Sequence, residues 1–109
     1  MMDDMTEIWV LYSTFSRREE ALFVAQALVR ERLAACANIT GNVQSVYRWE
    51  GAVREEAEVA MTAKTRRQNV ERAIRRIREL HPYQLPCIVA TPIADGFAPF
   101  LQWVADETA

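Results

Sequence analysis

The chain is poor in the residue types that build most catalytic and metal-binding motifs. Its 109 residues include one histidine, two cysteines, three glycines and a single lysine. With one histidine and no Cys-x-x-Cys pair, zinc-finger spacing cannot be built. There is no glycine-rich phosphate loop, no Gly-x-Ser-x-Gly and no His-Glu-x-x-His. The sequence therefore does not favour an enzyme.

Long apolar runs are also missing. No stretch approaches the roughly 18 apolar residues that a membrane span needs. The acidic start, residues 1–5, lacks the basic region and apolar stretch of a signal peptide. A net charge of −2 gives no general reason to expect nucleic acid or an anionic membrane as a partner. These absences predict a cytoplasmic protein in which Cys36 and Cys87 stay reduced.

Two basic features leave other functions open. Residues 64–79 hold seven bases and two acids, which is the charge pattern of a nucleic-acid footprint. Their arginines fall opposite an apolar helical stripe, and Glu71 lies four residues before Arg75, so a solvated helix face is the preferred interpretation. Arg17 and Arg18 follow the first strand, as in an acylphosphatase-like anion site, but surface positions in a first helical turn explain them better.

The apolar periodicity predicts six main elements and a short terminal helix in one domain, residues 1–109. Two Ser/Thr-x-x-Glu/Gln patterns, at Ser16 and Thr65, predict capping boxes at the starts of two helices. The pair Gly41–Asn42 predicts a β-bulge, and Glu50–Gly51 predicts a turn. The predicted elements are a strand over 7–14, a helix over 17–33, strands over 36–49 and 53–65, a helix from residues 65–68 to Leu80, a strand over 87–93, and a last helix with Phe100, Leu101 and Val104 facing inward.

This order predicts an α+β fold, a ferredoxin-like split βαβ sandwich (βαββαβ plus a C-terminal helix) with a long central hairpin. Each hairpin strand runs about 13 residues, or roughly 40 Å at ~3.3 Å per residue. A compact domain of this size has a radius of gyration near ~13 Å. The hairpin must therefore bend or project, and its apolar residues, Val46 and Val53 among them, predict a homo-oligomer that covers them.

The soft or borderline ligands that copper favours are candidates at Cys36, His81 and Cys87, and at the methionines of the acidic start, Met1, Met2 and Met5. The expected sheet order places the strands of the two cysteines at opposite edges, roughly 14 Å apart at ~4.8 Å per strand spacing. The two thiols therefore cannot chelate one ion within a subunit. Only a subunit boundary would bring them together.

Five motifs are spaced along nearly the whole chain. They are Leu-Ala-Ala-Cys-Ala-Asn-Ile at 33–39, Ser-Val-Tyr-Arg-Trp-Glu-Gly at 45–51, Lys-Thr at 64–65, His-Pro-Tyr-Gln-Leu-Pro at 81–86 and Phe-Leu-Gln-Trp at 100–103. In their residues and in their order, these motifs resemble those of the CutA divalent-cation tolerance family.

The resemblance implies a homotrimer built through the long hairpins and linked to tolerance of copper and other divalent cations, without an organic cofactor. It also implies an alternative, a PII-like signalling trimer that binds a small molecule between subunits. The inter-subunit cleft is expected to involve Tyr47, Trp49, Glu58, Lys64, Tyr83 and His81.

The chain departs from the family at positions where relatives carry copper ligands. Some relatives have a cysteine at the end of the first strand and two adjacent histidines before Pro-Tyr. Here the matching residues are Ser13, Leu80 and His81, so only His81 is retained. Cys87 stands where the family usually has a glutamate, which adds a thiol to the expected cleft and removes a carboxylate.

Overall fold

The fold is described by a computed structural model over residues 7–109; the acidic start considered above lies outside the described residues. Within residues 7–109, no helix is both long enough and apolar enough to cross a membrane. The elements are β1 (Ile8–Phe15), α1 (Arg18–Arg30), β2 (Cys36–Trp49), β3 (Ala52–Arg66), a single 3₁₀ turn (Arg67–Asn69), α2 (Val70–Leu80), β4 (Ile88–Pro92) and α3 (Ala98–Glu107).

The four strands form one sheet in the order β2-β3-β1-β4, and every neighbouring pair is antiparallel. The two βαβ units, β1-α1-β2 and β3-α2-β4, therefore interleave, because β3 lies between β1 and β2. This is the strand order that the ferredoxin-like prediction requires. The α+β architecture and the long hairpin are confirmed. β2 and β4 are the two edges of the sheet, and one side of each has no partner strand among residues 7–109.

The main core lies between one sheet face and the two longer helices. Alternate residues of β1, Leu11 and Phe15, are completely buried there, because side chains in a strand alternate between faces. They pack with buried residues of β3 and with the inner faces of α1 and α2, including Met61, Leu28 and Ile77. A second, smaller core forms where α3 packs on Ile8.

Neither predicted capping box forms. The hydroxyl of Ser16 donates to the Tyr83 hydroxyl at 2.9 Å, and α1 begins at Arg18 without a side-chain cap. Thr65 is buried within β3, where its Oγ1 accepts from the Asn69 amide at 3.4 Å. Both hydroxyls are engaged by tertiary partners, which override the local preference for a cap.

The end of α1 and the exposure of some residues on α1 and α3 also differ from the prediction. Arg32 adopts a left-handed conformation (φ 59°), and the amides of Arg32 and Leu33 return to the Val29 and Leu28 carbonyls. This is a Schellman closure, which stops the helix at Arg30, three residues earlier than expected. Residues expected to face inward remain 38 to 41% exposed in the single chain: Leu22, Val29 and Phe100.

The central hairpin projects from the core. The predicted bulge is present as a register shift between Thr40 and Val43, and the predicted turn has positive φ at both Glu50 (49°) and Gly51 (80°). Two successive left-handed residues match the right-handed twist of the strands they join. The molecule is 48 Å long but only 25 and 22 Å in its other dimensions. Val46 and Val53, near the hairpin tip, are 63 and 64% exposed.

The two hairpin glycines provide a paired test of this geometry. Gly51→Ala should lower the free energy of unfolding by about 1 kcal/mol, because a Cβ is strained at positive φ. Gly41→Ala should change it by less than ~0.5 kcal/mol, since its φ lies outside that region and no atom lies within 4 Å of the added Cβ. Urea unfolding of both variants measures the difference. Equal losses would contradict the assigned turn.

Candidate functional site

The residues predicted for the site lie in three separate places in one chain. Four of them surround the end of β1: Glu58, His81, Tyr83 and Cys87. Tyr47 and Trp49 lie on the projecting part of the hairpin. Lys64 and Cys36 face each other across β3 and β2 near the other end of the sheet.

Glu58 anchors the first group. It lies in β3 opposite Val43, just past the bulge, and its Oε2 accepts a 2.6 Å hydrogen bond from the Tyr83 hydroxyl. Tyr83 is held in turn by the Ser16 hydroxyl. Burial and the adjacent Glu58 carboxylate raise the pKa of Tyr83 to about 12, so the phenol stays protonated and keeps donating.

His81 is buried next to this pair, with both ring nitrogens in hydrogen bonds. Nδ1 accepts from the Tyr83 backbone amide at 3.2 Å, so Nε2 carries the proton and donates to the Thr14 carbonyl at 2.8 Å. The ring stacks on Phe15 with centroids 4.2 Å apart. Burial is the main cause that lowers the pKa of His81, against smaller opposing effects of the Thr14 carbonyl, Glu20 and Glu58. The neutral ring therefore offers no free lone pair in this conformation.

Cys87 lies immediately before β4, and its side chain is partly exposed. Partial burial and then the Glu58 carboxylate raise the pKa of the Cys87 thiol, which favours the protonated form at neutral pH. Ser13 is buried and donates to the Cys87 backbone carbonyl at 2.7 Å. Its hydroxyl therefore fixes the start of β4.

The hairpin residues are directed at their own strand partners. The Tyr47 hydroxyl donates to Glu56, and this hydrogen bond is the main cause that raises the pKa of Tyr47. Trp49 is half-buried beside the turn. Tyr47 pairs with Arg54, four residues before Glu58, which corresponds to roughly 13 Å at ~3.3 Å per residue.

Lys64 and Cys36 are farther from the Glu58 group. Lys64 lies six residues after Glu58 on the same strand, or roughly 20 Å at ~3.3 Å per residue. Cys36 belongs to edge strand β2, and Cys87 adjoins the opposite edge strand, as expected. Over residues 7–109, no three His, Cys, Asp or Glu side chains cluster as a metal site would require. The inter-subunit cleft stays a prediction.

The sequence analysis did not identify the residues that surround Glu58, His81 and Tyr83 at the end of β1. Thr14 contributes only a backbone carbonyl, Ser16 had been assigned to a helix cap, and Phe15 supplies a stacking face. Glu20 on α1 has one buried oxygen, Oε1, without a hydrogen-bond partner among the described residues. No local pattern marks any of these roles, since each depends on a contact between distant segments.

The single histidine makes the charge state of His81 testable. The unfolded chain takes up a proton near the ordinary histidine pKa of about 6.5, while burial delays uptake in the folded chain. The contribution to stability is therefore complete above about pH 6.5 and is lost as the pH falls towards the lowered native pKa. In metal-free buffer, the wild type should lose more stability than His81→Gln between about pH 7.5 and about pH 5.5 by urea unfolding. Equal losses would contradict a buried neutral ring.

Comparisons with known proteins agree along the length of the chain. A family model described as "CutA1 divalent ion tolerance protein" matches residues 9–107. The divalent-cation tolerance protein CutA of Thermus thermophilus is 42% identical over 99 residues, which cover 91% of this chain and 96% of that protein. The chloroplastic CutA of Arabidopsis thaliana is 36% identical over 91% of this chain, which spans only 54% of that longer protein.

The solved structures agree with the sequences. The crystal structure of the divalent ion tolerance protein CutA1 from Ehrlichia chaffeensis superposes with a TM-score of 0.90 at 37% identity, covering 97% of this chain and 99% of that one. These relatives carry CutA names and add no support to the PII-like alternative. Both the sequence match and the shared sheet show that this chain belongs to the CutA family of divalent-cation tolerance proteins.

Proposed function

We propose that this chain is a cytoplasmic divalent-cation tolerance protein that acts as a homotrimer, binding copper without catalysing a reaction. The names of its relatives support the link to divalent cations. The observation that carries the proposal is the hydrogen bond between Glu58 and Tyr83, which ties the segment that carries the Cys87 thiol to β3 at the base of the exposed hairpin.

The trimer is supported by surfaces that a single chain leaves open. Val46 and Val53 expose more than half of their side chains on a hairpin that projects from the core. Both sheet edges, β2 and β4, lack a partner strand on one side. Two different complementary surfaces on one chain associate head to tail, and such contacts close into a ring when the rotation permits. Burial of the hairpin would then stabilise the assembly.

A charge at the hairpin tip tests this assembly. Val53→Asp should yield monomers, because an unpaired carboxylate would be buried in the subunit interface. The fold of each subunit should survive, since Val53 is mostly exposed in the single chain. Light scattering measures the mass against the 12.5 kDa subunit. Gln26→Asp, on the exposed face of α1, is the control and should remain trimeric. A trimeric Val53→Asp variant would contradict the assigned interface.

The ligand set is proposed from Cys87, His81 and Cys36. Thiolate and imidazole ligands suit copper better than magnesium or calcium. Cys87 is the first ligand in this proposal, because replacement of its thiol proton by a cation would relieve the repulsion between a thiolate and Glu58. Cys36 lies at the opposite sheet edge, so a head-to-tail ring is the arrangement that would bring it towards Cys87 of a neighbouring copy.

His81 would join such a site only after a local change. Its Nδ1 accepts from the Tyr83 amide and its Nε2 proton lies on the Thr14 carbonyl, so a metal would displace one of these hydrogen bonds. Loss of a buried hydrogen bond costs about 1 kcal/mol or more. The proposal therefore ranks His81 below Cys87 as a ligand.

Native mass spectrometry with Cu(I), Cu(II) and Zn(II) tests assembly and metal binding together. We expect trimers that bind copper with one ion per subunit, and loss of that ion in Cys87→Ala. Gln84→Ala, an exposed change in the same segment, is the control and should bind like the wild type. His81→Ala and Cys36→Ala then rank the other two ligands. Metal uptake that is the same in Cys87→Ala and Gln84→Ala would contradict a Cys87 site.

A further inference from the structure

The arginines of α2 fall into two groups. Arg76 forms ion pairs with Glu31 at 2.9 Å and with Glu79 at 3.2 Å, and Arg72 donates to the Asn69 side chain. Arg75 and Arg78 are exposed and have neither an ion pair nor a hydrogen bond within residues 7–109. The pairing of Glu71 with Arg75 that their spacing suggests does not form in this part of the chain.

These two free arginines border an apolar groove. The groove has a volume of about 430 Å³ and lies between α2 and the segment that leads into β4. Glu71 lies at its other end, one helical turn before Arg75. Leu85 is 72% exposed, a large fraction for a leucine next to a core. The apolar lining consists of Ile74, Leu85, Pro86 and Ile88.

We infer that this groove binds an amphiphilic carboxylate, with the acyl or aryl group on the apolar lining and the carboxylate between Arg75 and Arg78. Residues three apart on a helix have Cβ atoms about 5–6 Å apart, so two guanidinium groups can converge on one anion. Guanidinium donors match a carboxylate in shape and charge.

A solvated helix face accounts for free arginines but not for the apolar lining between them. Leu85 and Pro86 come from a different segment than α2, and together with Ile74 they form a concave surface. The groove is shallow and open to solvent, so it suits a ligand that lies along the surface with one side exposed. A positive rim on an apolar floor favours an apolar anion over a metal cation. The inference does not depend on the copper site or on the Glu58 group.

Methyl NMR on the assembled protein tests the groove with sodium octanoate as the probe. We expect saturable shifts of the Ile74, Leu85 and Ile88 methyl groups with octanoate. Octylammonium has the same chain and the opposite charge, so its shifts should be much weaker. Equal shifts with the two probes, or no saturable shift with octanoate, would overturn the inference.

Two charge-removing variants locate the carboxylate. Arg75→Gln and Arg78→Gln should each weaken octanoate binding by about tenfold, the effect of losing one charged hydrogen bond. Arg18→Gln removes an exposed arginine of α1 that does not border the groove and should leave the affinity unchanged. Leu85→Ser should also weaken binding, through the apolar lining. Affinity that falls equally in Arg18→Gln would show a general charge effect and overturn the proposed site.

Discussion

β1 is about half as long as its partner β3, and this difference in length determines where the hairpin leaves the core and where the candidate site forms. β1 pairs with only the second half of β3, from Val59 to Arg66, and the earlier residues of β3 have β2 as their single partner. Past the end of β1 the sheet consists of β2 and β3 alone, and this hairpin projects from the core there. Glu58 is the first residue of β3 past the end of β1. The candidate site therefore forms where the four-stranded sheet narrows to two strands.

The contacts around His81 close this exposed end of the sheet. Its Nε2 donates to the Thr14 carbonyl, its ring covers Phe15, and its Nδ1 accepts from the Tyr83 amide. One neutral side chain thus ties the end of α2 to the end of β1 and orients the segment that carries Tyr83 and Cys87. A protonated ring would lose the bond from Tyr83 and place a charge in a buried position. These contacts therefore give His81 a structural role at the end of β1.

The sequence predicts the parts of the fold that depend on local chemistry. The bulge at Gly41–Asn42 and the Glu50–Gly51 turn need unusual backbone angles, which a few residue types favour, and both are present. The predicted hydroxyl caps depend less on local sequence alone, because the hydroxyls of Ser16 and Thr65 form hydrogen bonds with Tyr83 and Asn69 instead of capping a helix. The family resemblance named Glu58 and Tyr83 only as residues of an inter-subunit cleft, whereas their hydrogen bond within one chain joins segments 25 positions apart. Within one chain Lys64 is distant from this contact, since it lies six positions after Glu58 on the same strand.

Burial and the Glu58 carboxylate shift the protonation equilibria of the side chains around them. The pKa values of Tyr83 and Cys87 are raised and that of His81 is lowered, so the first two stay protonated and the third stays neutral near pH 7. A catalytic role would call for a general acid or base with a pKa near the working pH, or for a nucleophilic thiol with a lowered pKa. The proposed metal-binding role calls for neither, because a cation bound at Cys87 would itself lower the pKa of the thiol and exchange its proton for a metal bond.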